Sequence, residues 1–395
     1  MSEEIVRLAS RGDGVTGSGR HVPMAAPGDM LLDDGRLEPG RHRAVPPCRH
    51  FPECGGCQLQ HVDDEAYGAF LKDGIASALA TQGLAAPDIL APHISPPNSR
   101  RRASLHAESR GKQVLLGFKA ERSHDIVHMR ECFILRPELF ALVAPLRKLM
   151  GELLGPRGSG GVRMALADQG PDILIEKVSV ERLQASEALT AFAKTYGLAR
   201  LSIDDGYGPQ TRWEPEPATV TLGGIPVPLP HGAFLQATEE GEAALVAAVR
   251  RAVGGASVIA DLFAGLGTFA LSLPGRVLAA EGARDAALAL KGAANRAQLQ
   301  LFVDHRDLFR RPYDQKELSR FEAVVLDPPR AGAKEQAVPL GKSEVPRIAF
   351  VSCNPATFAR DAKTLIDGGC RLDWVKPVGQ FRWSTQVELV GAFSR

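Results

Sequence analysis

Cys353 stands in the segment Phe350-Val351-Ser352-Cys353-Asn354-Pro355, 26 residues beyond Asp327 and 35 residues before Glu388. A thiol, a carboxylate held by the prolines of Asp327-Pro328-Pro329-Arg330, and a second carboxylate form a set that can run covalent catalysis. The thiol adds to an electrophilic carbon and a carboxylate later removes a proton. An isolated cysteine after an apolar run is more often a small core residue. Here a third feature, the glycine-rich Asp261-Leu262-Phe263-Ala264-Gly265-Leu266-Gly267-Thr268, favours the functional reading.

The trio suits one reaction closely. C5 of uracil is a poor nucleophile until a thiolate adds to C6 and turns C5 into an enolate-like carbon. That carbon can accept a methyl group from a sulfonium, after which its proton must leave to a base. Cys353 is the candidate nucleophile and Glu388 the candidate base, with Asp327 and Gln236 placed to orient the ring. Acid-Pro-Pro motifs also serve methyltransferases acting on planar amino groups, but those need no nucleophile.

These residues require elements that end together. From about residue 236 the pattern reads helix (239–252), strand (257–262), glycine turn, helix (269–273), strand (276–281), helix (284–296), then strands over 323–326 and 347–352. Such alternation predicts an α/β domain with a doubly wound parallel sheet. Its ligand crevice lies beyond the carboxyl ends of the strands. Glu281, 20 residues after Asp261, is placed to accept ribose hydroxyls, and Asp307 to take hydrogen bonds from an adenine amino group. The turn lacks the full G-x-G-x-x-G, which points to S-adenosyl-L-methionine rather than a dinucleotide.

Upstream, residues 1–45 read as short strands and tight turns, compatible with a small β-barrel. Residues 46–235 read as an α+β central domain that opens with a helix over 67–82, and residues 236–395 as the catalytic domain. A content of 44% hydrophobic and 24% charged residues supports folded domains with real cores. The net charge of +1 does not announce a nucleic-acid partner, but residues 98–136 carry nine Lys/Arg against four Asp/Glu. The run Arg100-Arg101-Arg102 inside that stretch could follow a phosphate backbone or form an ordinary solvated face. No secretory signal and no membrane span are expected, which makes the cytoplasm the default.

Cys48, Cys54 and Cys57 cluster in Pro47-Cys48-Arg49-His50-Phe51-Pro52-Glu53-Cys54-Gly55-Gly56-Cys57. Three close thiols in a reduced protein imply a metal site, zinc or iron–sulfur, with Cys132 the best fourth ligand. Spacing alone also leaves room for a zinc site using His50 or His61. Cys370 reads as a buried thiol of the catalytic domain.

Taken together, Phe234-Leu235-Gln236, the glycine turn, Glu281, Leu326 to Gly332, Val351 to Asp361 and Gln386-Val387-Glu388 resemble the RNA uracil-C5 methyltransferase family, whose members modify 23S rRNA or tRNA. The resemblance spans nearly the whole chain. It implies that Gln236, Phe263, Thr268, Glu281, Asp307 and Asp327 occupy cofactor-site positions. It also implies a [4Fe–4S] cluster on Cys48, Cys54, Cys57 and Cys132, as in the rRNA branch, and hence 23S rRNA ahead of tRNA as the partner. No membrane and no obligate protein partner are implied. Residues 1–45 resemble a shortened TRAM barrel. Three positions depart from the family pattern: Ala264 where cysteine is common, Thr268 where Asn is found, and Gln386 where His precedes the glutamate. A different class of protein, an inactive RNA-binding iron–sulfur protein, is disfavoured by the intact Cys353, Glu388 and Asp327.

Overall fold

The computed structural model describes every residue except 1, 86, 112, 181 and 182. Lys112, one of the nine basic residues counted above, therefore lies outside the described residues. Five short strands between Glu3 and Glu38 make a curled antiparallel sheet around Ile5, Val22, Ala25 and Leu31. The sheet is a half-barrel that does not close.

The central sheet has six strands, in the order Gln210–Trp213, Arg200–Asp204, Gly170–Glu176, Ser159–Ala167, Arg102–Arg110 and Gln113–Gly117. The helices Val143–Leu153 and Leu183–Thr195 cover one face and bury Leu146, Met150, Leu189 and Phe192. Alternation along Arg102–Arg110, where Ala103, Leu105 and Ala107 point inward, is what a half-buried strand requires.

The C-terminal sheet is α/β and doubly wound. Its parallel strands run Leu301–His305, Arg276–Glu281, Val258–Leu262, Ala323–Leu326 and Arg347–Ser352. An antiparallel pair, Glu388–Ser394 and Arg371–Gly379, completes the far side. Order reverses at Val258–Leu262, so the crevice opens beside the glycine turn. The helix Glu239–Val253 packs on this sheet, capped by the Thr238 side chain on the Gly241 N–H. Three acids in its first turn and two arginines in its last favour the helix dipole.

Two elements differ from the sequence reading. The helix expected over 269–273 is a single 3₁₀ turn, Ala270–Ser272. Pro274 follows at once and disfavours a helical Leu273. The helix expected from residue 67 begins at Asp64, because Asp63 caps it by accepting the Ala66 N–H at 2.9 Å. This helix, Asp64–Thr81, packs on Pro355–Asp367, and Asp88–Ile89 and His93–Ile94 pair with Arg371–Gly379. Residues 64–94 thus build onto the catalytic sheet. No helix among the described residues is long and apolar enough to cross a membrane.

Candidate active site

The strand Arg347–Ser352 ends with Ser352 paired to Leu389 of Glu388–Ser394. One step further along the same register lie Cys353 and Glu388. Asn354 then caps the helix Pro355–Asp367 by accepting the Ala356 N–H at 3.1 Å, so the chain turns sharply just past the thiol. Both residues line a cavity of about 920 Å³ with Asp327, Gln236 and the glycine turn. That size suits a nucleoside-like ligand together with a second planar group.

Electrostatics in this cavity favour protons. Burial pushes the Cys353 thiol up to about 11, helped by Glu388 and Asp327. Burial also raises Glu388 to about 8, with Asp327 adding to it, while Gln380 and Arg102 pull the other way. Asp327 keeps a solvent-facing edge but is ringed by protein, and burial plus Glu281 bring it to about 7. Asp261 is fully buried, with one oxygen on the Ala270 N–H at 2.8 Å and the other without a partner; burial raises it well above the usual range. Glu281, Asp285, Asp307, Asp327 and Glu388 put five carboxyl groups around one cavity, a natural seat for a cation, which a sulfonium provides.

The glycine turn is shaped for close approach. Gly265 and Gly267 have φ of 56° and 95°, and a Cβ on Gly267 would stand 2.4 Å from Leu290 Cδ1. Phe263 also takes a positive φ of 66° and meets the Phe309 ring at 5.4 Å. Glu281 accepts the N–H groups of Gly265 (2.7 Å) and Ala283 (2.6 Å), one on each oxygen. Each oxygen keeps a lone pair for a ribose hydroxyl. Asp307 accepts the Phe309 N–H at 3.0 Å and lines the same end of the cavity, as does Thr268.

The structure therefore brings all eight sequence-derived catalytic and cofactor positions to one cavity. Sequence reading gave no role to Phe309, Phe381 or the Arg330 of the Asp-Pro-Pro-Arg motif, which line it too. Phe309 was findable as an exposed aromatic just past Asp307; Phe381 carried no local signal.

Cys48, Cys54, Cys57 and Cys132 line a separate small cavity about 80 residues of chain apart at the extremes, and all are free thiols. Burial raises each of them, Cys57 to about 12. Among the described residues no group of three or more His, Cys, Asp or Glu side chains is gathered tightly enough to hold a single metal ion. His50 borders this cavity, but its Nε2 accepts the Arg130 N–H at 3.0 Å, and His61 lies outside the lining. The four cysteine thiols thus line one cavity, with His50 engaged elsewhere. Cys370 is buried in the catalytic core, as expected.

The three arginines do not form one strip. Arg101 is buried and pairs with Glu242 at 2.6 Å. Arg100 lies over Phe381 and Arg102 over Phe234, with guanidinium-to-ring distances of 5.4 and 4.5 Å. Strand alternation causes this split, since neighbouring side chains leave on opposite faces. Arg100 and Arg102 line a second groove with Lys119, Arg122 and Arg163, and this groove runs into the active-site cavity at Phe234, Phe381 and Gln386.

An open parallel sheet with this glycine turn, acids at its strand ends and a thiol beside a carboxyl defines a methyltransferase of the S-adenosylmethionine class. A tRNA (uracil-5-)-methyltransferase family profile matches residues 259–390. The chain is 55% identical to an uncharacterized RNA methyltransferase of Zymomonas mobilis over the full length of both. It is 34% identical to the 23S rRNA (uracil(1939)-C(5))-methyltransferase of Halomonas elongata, over 83% of this chain and 72% of that one. Its fold matches the Pyrococcus abyssi tRNA (uracil-54, C5)-methyltransferase, with a TM-score of 0.74, 23% identity and full coverage of both chains. The chain belongs to the RNA uracil-C5 methyltransferase family.

Proposed function

We propose that this protein methylates C5 of a specific uridine in 23S rRNA, using Cys353 as nucleophile and Glu388 as base. The observation that carries the reading is the placement of these two residues side by side at the end of one strand pair, in the cavity that also holds the glycine turn. Bound S-adenosylmethionine would be held by Phe263, Thr268, Glu281 and Asp307 and would supply an electron-poor methyl group. Cys353 adds to C6 of uracil, which makes C5 nucleophilic. After methylation Glu388 removes the C5 proton, the C5–C6 double bond re-forms and the thiolate leaves. Burial, with the charges of Glu388 and Asp327 adding to it, raises the proton affinity of Cys353, so the thiol must lose its proton as it adds to C6, and Glu388 must be unprotonated when it removes the C5 proton.

For the RNA, 23S rRNA is favoured over tRNA by the 34% identity to an rRNA enzyme over 83% of this chain, and by the four-cysteine site. We infer that this site holds a [4Fe–4S] cluster, with a structural or RNA-binding role, because methyl transfer needs no electrons. Four thiols lining one cavity, with His50 Nε2 engaged by Arg130 and His61 outside the lining, suit iron–sulfur better than a mixed zinc site. A four-iron cube also needs its donors further apart than one ion does. The reading places the reaction in the cytoplasm. Mapping 5-methyluridine in RNA from cells with and without the gene tests it: one 23S uridine should lose its methyl group. Loss in tRNA alone would move the target, and no loss anywhere would remove the activity.

A further inference from the structure

Gln380, which lies just behind the cavity wall and is 1% exposed, takes no part in the chemistry described so far. It directly follows the strand Arg371–Gly379 and bonds to the neighbouring segment Gln236-Ala237, whose Gln236 lines the site. Its Oε1 accepts the backbone N–H of Ala237 at 2.8 Å. Its Nε2 donates to Oε1 of Gln236, also at 2.8 Å.

These two bonds fix more than position. A backbone N–H can only donate, so the Gln380 atom facing Ala237 must be the oxygen. The Gln380 atom facing Gln236 must then be nitrogen, which can only donate, so Gln236 meets it with its own oxygen. The Gln236 –NH₂ is left as the group turned toward the cavity that Gln236 lines. An amide whose two ends are otherwise interchangeable has been given one polarity. The seat is tight as well. Gly241 faces Gln380, and a Cβ there would stand 2.7 Å from Gln380 Cβ. Gln380 also lowers the proton affinity of the Glu388 carboxyl, so one buried amide acts on both the ring-orienting residue and the proposed base.

We propose that Gln380 is a positioning residue that locks the Gln236 amide with its –NH₂ toward the target base, so that the site accepts the O4 carbonyl of uracil and rejects the 4-amino group of cytosine. The proposal rests on the uracil-C5 reading above. The two bases differ at position 4 by acceptor against donor, and two opposed donors in a buried site leave both unpaired. The same donor serves the chemistry. When the Cys353 thiolate adds to C6, the electron pair of the C5–C6 bond moves toward O4, and a preset donor there stabilises the growing negative charge.

Gln380→Glu is the informative variant. A carboxylate keeps the Ala237 bond but cannot donate to Gln236, whose amide must turn over and present its oxygen. Transcripts of 23S rRNA and of tRNA made with uridine, 5-fluorouridine or 5-fluorocytidine are the probes. Relative to wild type, kcat on uridine RNA should fall by roughly 10- to 100-fold. The ratio of 5-fluorocytidine to 5-fluorouridine covalent adduct should rise by about tenfold or more. A merely structural role would lower both adducts together and leave their ratio alone. If Gln380→Glu does not fold, Gln380→Met decides: it removes the lock without a charge, and a wild-type kcat on uridine overturns the proposal. An unchanged ratio in a folded Gln380→Glu overturns it equally. Wild-type protein that makes neither 5-methyluridine nor a 5-fluorouridine adduct would instead sink the underlying reading, and this proposal with it.

Discussion

Cys353 and Glu388 are adjacent because Ser352 pairs with Leu389 in an antiparallel ladder, although 35 residues of chain separate them. A one-residue slip of that ladder would turn Glu388 to the opposite face of the sheet. The proposed nucleophile and base are therefore set by strand register, not by a flexible loop.

That adjacency separates the two residues by step. Cys353→Ala should abolish methylation and every covalent RNA adduct. Glu388→Gln should still add and methylate but stall at C5 deprotonation, so a methylated protein–RNA species survives denaturing electrophoresis. Full activity in the Cys353 variant would require direct transfer to an atom that is already nucleophilic. Loss at Glu388 without an adduct would assign that residue to binding.

Activity should climb with pH. Glu388 takes a proton only when ionised, and burial has moved it from 4.5 to about 8. In wild type kcat/KM should rise through about pH 8, with the apparent value belonging to the Cys353–Glu388–Asp327 group rather than to one residue. A profile flat from pH 6 to 9 would contradict this.

Stability should move the other way. The folded chain keeps the Glu388 proton up to about pH 8, whereas the unfolded chain loses it near 4.5. Across that window the folded state binds more protons, so this group costs stability as pH rises. Glu388→Gln removes the effect. Its Tm advantage over wild type should grow between pH 5 and pH 8.5, as read by thermal melts; a constant margin would show that Glu388 ionises normally.

The four-cysteine site makes a colour test. Protein purified without air should be brown, with broad visible absorbance, and Cys54→Ser or Cys132→Ser should bleach it. Colourless protein carrying one zinc per chain would replace the cluster with zinc and leave the methylation chemistry untouched.

Charge in the second groove should govern RNA binding. Changing Lys119, Arg122 and Arg163 to Gln should weaken RNA affinity and flatten its salt dependence, by about 0.7–0.9 in the log–log slope for each lost phosphate contact. Arg101→Gln should act differently. It leaves Glu242 buried without its partner, so it should cost about 3–5 kcal/mol of stability. An Arg101 variant with normal melting but a reduced salt slope would return that residue to the RNA surface.

The residue types alone pointed to the proposed chemistry. A cysteine after an apolar strand, an Asp held by two prolines, and acids at the ends of Val277-Leu278-Ala279-Ala280-Glu281 and its neighbours are local signals, since strand ends and turns are written in short stretches of sequence. The doubly wound sheet was legible for the same reason, its strands being nearly continuous apolar runs. What only the tertiary structure decided came from long-range pairing. The run Arg100 to Arg102 reads as one basic patch in one dimension, but the pleat sends Arg101 inward to Glu242 and its neighbours to Phe381 and Phe234. The role of Gln380 was equally hidden, because 144 residues separate it from Gln236 and nothing in either local segment fixes the direction of an amide. Local sequence specifies which groups are available and on which element they ride. Which end of an amide, or which face of a strand, meets the substrate depends on partners brought together by the fold.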